Sequence, residues 1–322
     1  MRICISSLLI CLAFAGCALQ ASPESLPPAD ATNQTLLAFA GQSAASAPPS
    51  GALPLTLPLK PKSVRFAVIG DNGTGDKPEF DVAREMEAYR QVVDFTFVIM
   101  LGDNIYGRHN PRDFARKFEE PYKPLLDAGV KFYASLGNHD HPEERQYEPF
   151  HMGGERYYSF KKSDVTFFVL DSSYMNQEQL TWLEQQLRDA SSDWKICYFH
   201  HPLYSDGKFH GPDLDLRSVL TPLFQKYGVN VVFSGHEHIY ERLKPQNDIY
   251  YFVLGNSGQL RYHNLRRSQQ MEVGFDTDRD FMLVEIDKDD LYFQTISRTG
   301  ATIDSGVLAR QSHSSNREQS QK

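Results

Sequence analysis

The chain has 322 residues, 41% hydrophobic and 23% charged, a composition that excludes a disordered protein and leaves length for a large core. Its net charge of -8 gives no broad basic surface to hold a polyanion, which argues against nucleic acid as a partner. Of the cysteines, Cys4, Cys11 and Cys17 stand at the amino terminus and only Cys197 in the body, so the body holds no disulfide framework and Cys197 reads as a small buried hydrophobe.

In chain order, Met1-Arg2 and the apolar stretch to Ala15 have the charge, length and small-residue end of a secretory signal, too short for a stable membrane span. The mature protein is therefore expected to be exported, to the periplasm or outside the cell. Leu12 to Cys17, LAFAGC, resembles the lipobox of bacterial lipoproteins, with Phe14 where leucine is usual, and implies a membrane tether through a lipid-modified Cys17. Residues 1–17 are assigned to this signal and residues 18–62, rich in Ala, Ser and Pro, to a spacer. Residues 63–310 form the folded body, and residues 311–322 a polar tail.

Five short apolar runs in the body share one pattern. Val64 to Ile69 leads into Gly70-Asp71, and Phe95 to Leu101 into Gly102-Asp103 with Tyr106. Lys131 to Leu136 leads into Gly137-Asn138-His139-Asp140, Trp194 to Phe199 into His200, and Val229 to Ser234 into Gly235-His236-Glu237-His238. Each reads as a buried strand that delivers an oxygen or nitrogen donor at its carboxyl end, where open α/β sheets bind ligands. Helical patterns over Pro78 to Gln91, Asn176 to Asp189 and Asp213 to Tyr227 alternate with these runs and imply largely parallel pairing.

Two hairpins, Arg156 to Phe160 with Val165 to Leu170 and Phe281 to Ile286 with Leu291 to Ile296, add antiparallel strands. The fold class is α/β: a four-layer α/β/β/α sandwich of two mixed sheets flanked by helices. The polar stretch Gln259 to Asp280, which carries Arg261, Arg266 and Arg267, reads as a surface loop rather than a lid.

Asp71, Asp103 and Tyr106 offer oxygens that can be anionic, Asn138 a carbonyl oxygen, and His200, His236 and His238 imidazole nitrogens. Seven donors are too many for one ordinary site and suit two metals sharing a carboxylate, an arrangement that clamps the oxygens of a phosphoryl displacement. Hard oxygens beside imidazoles, without cysteine, favour iron, manganese or zinc. Any one of these pieces alone would read as a turn, a helix cap or a surface pair. Five in succession, each after a buried strand, do not.

In their order and spacing, Gly70-Asp71-Asn72-Gly73, Gly102-Asp103 with Tyr106, Gly137-Asn138-His139, His200 and Gly235-His236-Glu237-His238 resemble the five blocks of the purple acid phosphatases, within the calcineurin-like metallophosphoesterases. Arg156 to Phe160, Gln179 to Leu187 with Trp182, and Tyr240-Glu241-Arg242 look like the same family. The resemblance covers Val64 to Leu308 and implies the metallophosphoesterase fold in its small, single-domain form.

It further implies that Asp71, Tyr106 and His238 hold a first metal, that Asp103 bridges, and that Asn138, His200 and His236 hold a second. The first metal is expected to be Fe(III), because a phenolate at acidic pH needs a trivalent ion to keep it deprotonated. The second is expected to be Fe(II), Zn(II) or Mn(II). The implied activity is acid phosphatase: hydrolysis of small phosphomonoesters with metal-bound hydroxide as nucleophile. His139 is the first candidate to protonate the leaving group, and His210 matches a substrate-contacting histidine of the family. His109, His141, His151, His201, His263 and His313 match no motif position and are given structural or exposed roles. The alternatives are a phosphodiesterase of the wider metallophosphoesterase group, against which Tyr106 argues, and a non-catalytic cell-surface binding protein, against which the complete donor set argues.

Overall fold

The computed structural model describes residues 53–311; the signal stretch with Cys17, most of the spacer and the tail from 312 lie outside the described residues. In chain order the strands are β1 (Val64–Ile69), β2 (Phe97–Met100), β3 (Lys131–Ala134), β4 (Tyr158–Lys162), β5 (Val165–Val169), β6 (Trp194–Tyr198), β7 (Val231–Ser234), β8 (Tyr240–Leu243), β9 (Tyr250–Leu254), β10 (Met271–Phe275), β11 (Asp280–Asp287), β12 (Asp290–Ser297) and β13 (Thr302–Ala309). The α-helices are α1 (Lys77–Val93), α2 (Pro111–Phe114), α3 (Lys123–Asp127), α4 (Gln177–Asp189) and α5 (Leu214–Tyr227). The three long helices fall where the sequence periodicity puts them. Asn176 caps α4 through the Gln179 amide and Asp213 caps α5 through the Leu216 amide, while the left-handed Gly228 ends α5.

Two mixed sheets result, ordered β13-β12-β11-β1-β2-β3 and β10-β8-β9-β7-β6-β5-β4. β1, β2 and β3 are parallel, as are β5, β6, β7 and β9, and the expected hairpins β11-β12 and β4-β5 are antiparallel. Alternation along the strands sorts the core into three layers. Phe66 and Val68 of β1 meet Phe167, Ile196 and Phe233 between the sheets, while Ala67 and Ile69 face Val82, Met86 and Tyr89 of α1. On the outer face of the second sheet, Phe168, Cys197 and Val232 pack against Leu183 and Leu187 of α4 and Leu220 and Phe224 of α5. The expected α/β/β/α sandwich is therefore the one observed, and parallel neighbours with matched registers bring the ends of β1, β2 and β3 level, and likewise those of β6 and β7.

Three stretches differ from the sequence reading. Gln259 to Asp280 is not a plain surface loop: it contains β10, which pairs with the edge of the second sheet at β8. β13 closes the other sheet's edge although TIDSGVLA carries Gly306 and three polar residues; edge strands tolerate that polarity because one flank faces solvent. Residues 53–62, grouped with the spacer, pack on the body. Leu57 is buried, Gln294 accepts from the Thr56 amide at 2.9 Å, and buried Glu285 accepts from the Leu59 amide at 2.8 Å and the Ser63 hydroxyl at 2.7 Å. Among the described residues no helix is long and apolar enough to cross a membrane.

Candidate metal centre

Three of the donors stand at abrupt backbone bends after their strands. Asp71, Asp103 and His236 have φ of 50°, 54° and 69°, a left-handed region that Asp and His enter more readily than most residues and still at a cost of about 1 kcal/mol or more. The bends turn the side chains back across the sheet ends toward one another. Neighbouring glycines make room for them: a Cβ at Gly137 would strike the Asp103 carboxylate, and one at Gly235 the Asp71 carboxylate.

The structure brings all seven predicted donors together, in two groups that share one residue. The Tyr106 hydroxyl lies 3.1 Å from Asp71 Oδ1, 2.9 Å from Asp103 Oδ2 and 3.4 Å from His238 Nε2. His200 Nε2 lies 3.0 Å from Asn138 Oδ1, 3.1 Å from His236 Nδ1 and 3.4 Å from Asp103 Oδ2. The outward oxygens are tied to backbone. Asp71 Oδ2 accepts from the His236 amide and Asp103 Oδ1 from the His139 amide, both at 2.8 Å, which leaves Asp71 Oδ1 and Asp103 Oδ2 for the centre.

The donor chemistry fits cations. The Nδ1 proton of His200 goes to the Leu101 carbonyl at 3.0 Å, so its Nε2 presents a lone pair to the oxygens of Asn138 and Asp103. Burial pulls the His200 pKa well below the ordinary range, so a second proton does not relieve this. Tyr106 likewise has one hydroxyl proton for two carboxylate oxygens and an imidazole. The Asp71 carboxyl is held well above its usual range, first by burial and then by the charge of Asp103. Burial followed by the Asp71 and Asp103 carboxylates pushes the Tyr106 phenol far up, so only a strong local positive charge would ionise it. Burial and then Arg261 pull His238 down to about 4, leaving it neutral and able to ligate.

The proposed proton donor and the proposed substrate-contacting histidine stand at the mouth. His139 is exposed with its ring 5.0 Å from that of Tyr106, and exposed His210 has its ring 4.0 Å from that of His236. His201, given no site role by motif, is also here: its ring is 4.4 Å from that of His236, and Nδ1 is 2.9 Å from the Ser172 hydroxyl. His109, His141, His151 and His263 stay out of the donor groups, and His313 lies outside the described residues.

Three supporting residues carry no signal beyond their place in a motif. Asp140 accepts from the amides of Asn104 and Gly137 at 2.7 and 2.8 Å, tying the loop after β2 to the loop after β3. Buried Glu237, between two donors, accepts from the amides of His210 and Gly211 at 2.7 and 2.5 Å and from the Asn264 side chain at 2.6 Å. Arg261 donates its amide to the His238 carbonyl at 3.0 Å and sets its guanidinium carbon 3.5 Å over the Phe209 ring. The loops 205–212 and 258–268 thus form one lip, joined by a bridge between Gly207 and Leu265.

Comparison with known proteins agrees with this geometry. The family model described as calcineurin-like phosphoesterase matches residues 64–240, more than half of the chain. Tartrate-resistant acid phosphatase type 5 of Rattus norvegicus is 25% identical over 299 residues, covering 77% of this chain and 91% of the relative. Purple acid phosphatase 4 of Arabidopsis thaliana is 28% identical over 270 residues, 71% of this chain and 78% of the relative. Among solved structures, the purple acid phosphatase PPD1 from yellow lupin superposes with a TM-score of 0.63 at 18% identity, over 80% of this chain and 55% of that one. GAP50, described as the anchor in the inner membrane complex of Plasmodium, superposes with a TM-score of 0.67 at 20% identity, over 77% and 89%. These two likenesses speak to the fold. With a matched family model, the two-sheet sandwich and a converging donor set, this chain belongs to the calcineurin-like phosphoesterase family and has purple acid phosphatases among its relatives.

Proposed function

We propose that this protein is an acid phosphatase that hydrolyses small phosphomonoesters at a dinuclear centre. Asp71, Tyr106, His238 and Asp103 would hold Fe(III); Asp103, Asn138, His200 and His236 would hold Fe(II), Zn(II) or Mn(II). The observation that carries this reading is the Tyr106 hydroxyl, 3.1, 2.9 and 3.4 Å from donor atoms of Asp71, Asp103 and His238, because a phenol in that group favours a trivalent ion over two divalent ones.

When bound, the metals supply positive charge for the phosphoryl oxygens and make water acidic enough to attack phosphorus below neutral pH. The chain's own residues supply the rest. Asp103 presents one oxygen to both groups while its other oxygen is fixed by the His139 amide. His139, exposed beside Tyr106, gives a proton to the departing alkoxide. His210, which the Glu237 carboxylate holds through its amide, contacts the phosphoryl group from the opposite lip. Export, with a tether through lipid-modified Cys17, is part of the same reading and rests on the amino-terminal sequence.

The test is metal analysis and a visible spectrum of the purified protein, with parallel assays on a monoester and a bis-ester. A tyrosinate-iron band that disappears in Tyr106→Phe, with preferred monoester cleavage, supports the reading. Colourless protein that holds two zinc ions and prefers the bis-ester replaces it with a phosphodiesterase.

A further inference from the structure

Asp71 follows β1 in one sheet and His238 precedes β8 in the other, yet Asp71 Oδ1 and His238 Nε2 lie 3.3 Å apart. No strand ladder sets that distance, because the two strands belong to different sheets. The segment that does is Gly255 to Arg261, which leaves β9 and runs between them. The Ser257 amide donates to the Gly70 carbonyl at 3.1 Å and the Gln259 amide to the Asp71 carbonyl at 3.0 Å. On the other side the Gly255 amide donates to the Ile239 carbonyl at 3.1 Å and the Arg261 amide to the His238 carbonyl at 3.0 Å. Tyr106 joins this seam at one remove, its amide donating to the Gly73 carbonyl at 2.9 Å.

Two fully buried side chains fix the seam in place. Ser257 Oγ accepts from the Gly70 amide at 3.2 Å, so Ser257 both gives a bond to Gly70 and receives one. The Asn256 side chain donates to the Asp278 carbonyl at 3.0 Å and to Asp280 Oδ2 at 2.6 Å, which pins the segment to the start of β11. Packing leaves no slack: a Cβ at Gly255 would strike the Glu237 carbonyl, and one at Gly258 the Asn72 carbonyl. Among the described residues, no hydrogen bond runs from the segment to Asn138, His200 or His236. The seam therefore serves one donor group and not the other.

We infer that Ser257, held by Asn256, is a positioning residue for the Tyr106 half of the centre: it sets Asp71 against His238 across the two sheets and so governs the first metal site without touching the second. This rests on the two-metal reading above. Without the Ser257 hydroxyl the buried Gly70 amide loses its acceptor, and residues 70 and 71 are free to shift away from His238.

The experiment follows metal release from the full chain loaded with iron and zinc and exposed to a chelator. In Ser257→Ala iron leaves about tenfold faster than in the parent, read at the tyrosinate band, whose maximum also moves, while zinc, read by elemental analysis of the same samples, leaves at the parent rate. Asn256→Ala, one step further from the donors, shows the same selectivity. A second measurement needs no variant: in the parent, hydrogen exchange at the Ser257, Gln259 and Arg261 amides slows about tenfold on adding iron(III) to zinc-loaded protein, because a segment that tightens a site is itself tightened when that site fills. Iron and zinc release speeded alike, iron release left at the parent rate, or exchange at those amides indifferent to iron(III) overturns the positioning role and leaves the two-metal reading intact. Parent protein that takes up no iron and shows no tyrosinate band removes that reading, and the role of Ser257 with it.

Discussion

Asp103 Oδ2 stands 2.9 Å from the Tyr106 hydroxyl and 3.4 Å from His200 Nε2, so a single carboxylate oxygen at the end of β2 faces both donor groups. The Asp103 side chain cannot turn away without breaking the bond from the His139 amide to its other oxygen. The shared position is thus fixed by the backbone bond to the other oxygen, the kind of preorganisation that a two-metal centre needs.

Asp103→Asn keeps the shape and removes the shared charge. Metal content after dialysis is expected to fall from two ions to one or fewer, with affinity for the weaker ion down at least ~100-fold, while the far-UV circular dichroism stays that of the parent. Folded Asp103→Asn protein that binds both ions and turns over at full speed contradicts the shared role.

Gly137→Ala tests the same carboxylate from the other side, since the added methyl group meets both the side chain and the backbone nitrogen of Asp103 and must push the two loops apart. Displacing that side chain is expected to weaken metal binding by roughly 10 to 100-fold without unfolding the protein. A metal titration followed by intrinsic fluorescence reads it, and unchanged affinity would mean that the loop after β3 yields.

Glu237→Gln exchanges a buried carboxylate that accepts three hydrogen bonds for an amide with one oxygen. The lip over the donors should loosen at a cost of about 2 kcal/mol, a fall in Tm of roughly 4 to 8 °C for a body of this size. Hydrogen exchange at the His210 and Gly211 amides should rise well above that elsewhere in the chain. Equal exchange in parent and variant would show that Glu237 does not hold the lip.

Glu241 lies buried under the same lip, accepts from the Ser205 hydroxyl at 3.0 Å and the Asp206 amide at 2.9 Å, and has its carboxyl pushed up to about 7, chiefly by burial. The folded state binds this proton more tightly than the unfolded chain, where glutamate titrates near ~4.3. The contribution is therefore fully present below about pH 4.3 and is lost as pH rises through about 7, up to a total on the order of 3 kcal/mol. The Tm of the parent minus that of Glu241→Gln should fall between about pH 5 and about pH 8. A difference independent of pH would contradict the raised value.

The strands that carry the donors were legible because burial on both faces makes them short, unbroken apolar runs that stop at a glycine or a donor. β8, β9, β10 and β13 were not read; for β10 and β13 the reason is that edge strands keep polar residues on an open flank. The strap from Leu53 to Lys62 was hidden by its prolines, although Leu57 reaches the core and Glu285 receives its amides. In the site, local pattern singled out the seven residues that converge but not His201, which stands with His200 and His236, nor Glu237 or Arg261, since each acts through a neighbour remote in the chain or folded over it.

The amino-acid order by itself determined the class of fold and singled out the seven candidate donors, because each is written in a few consecutive residues. Only the tertiary structure decided that the donors converge as two groups on one oxygen of Asp103 and that Phe209 comes to lie beneath the Arg261 guanidinium. The reason is physical: donor type is a property of a side chain, whereas convergence depends on the registers of two sheets and the bends that leave them.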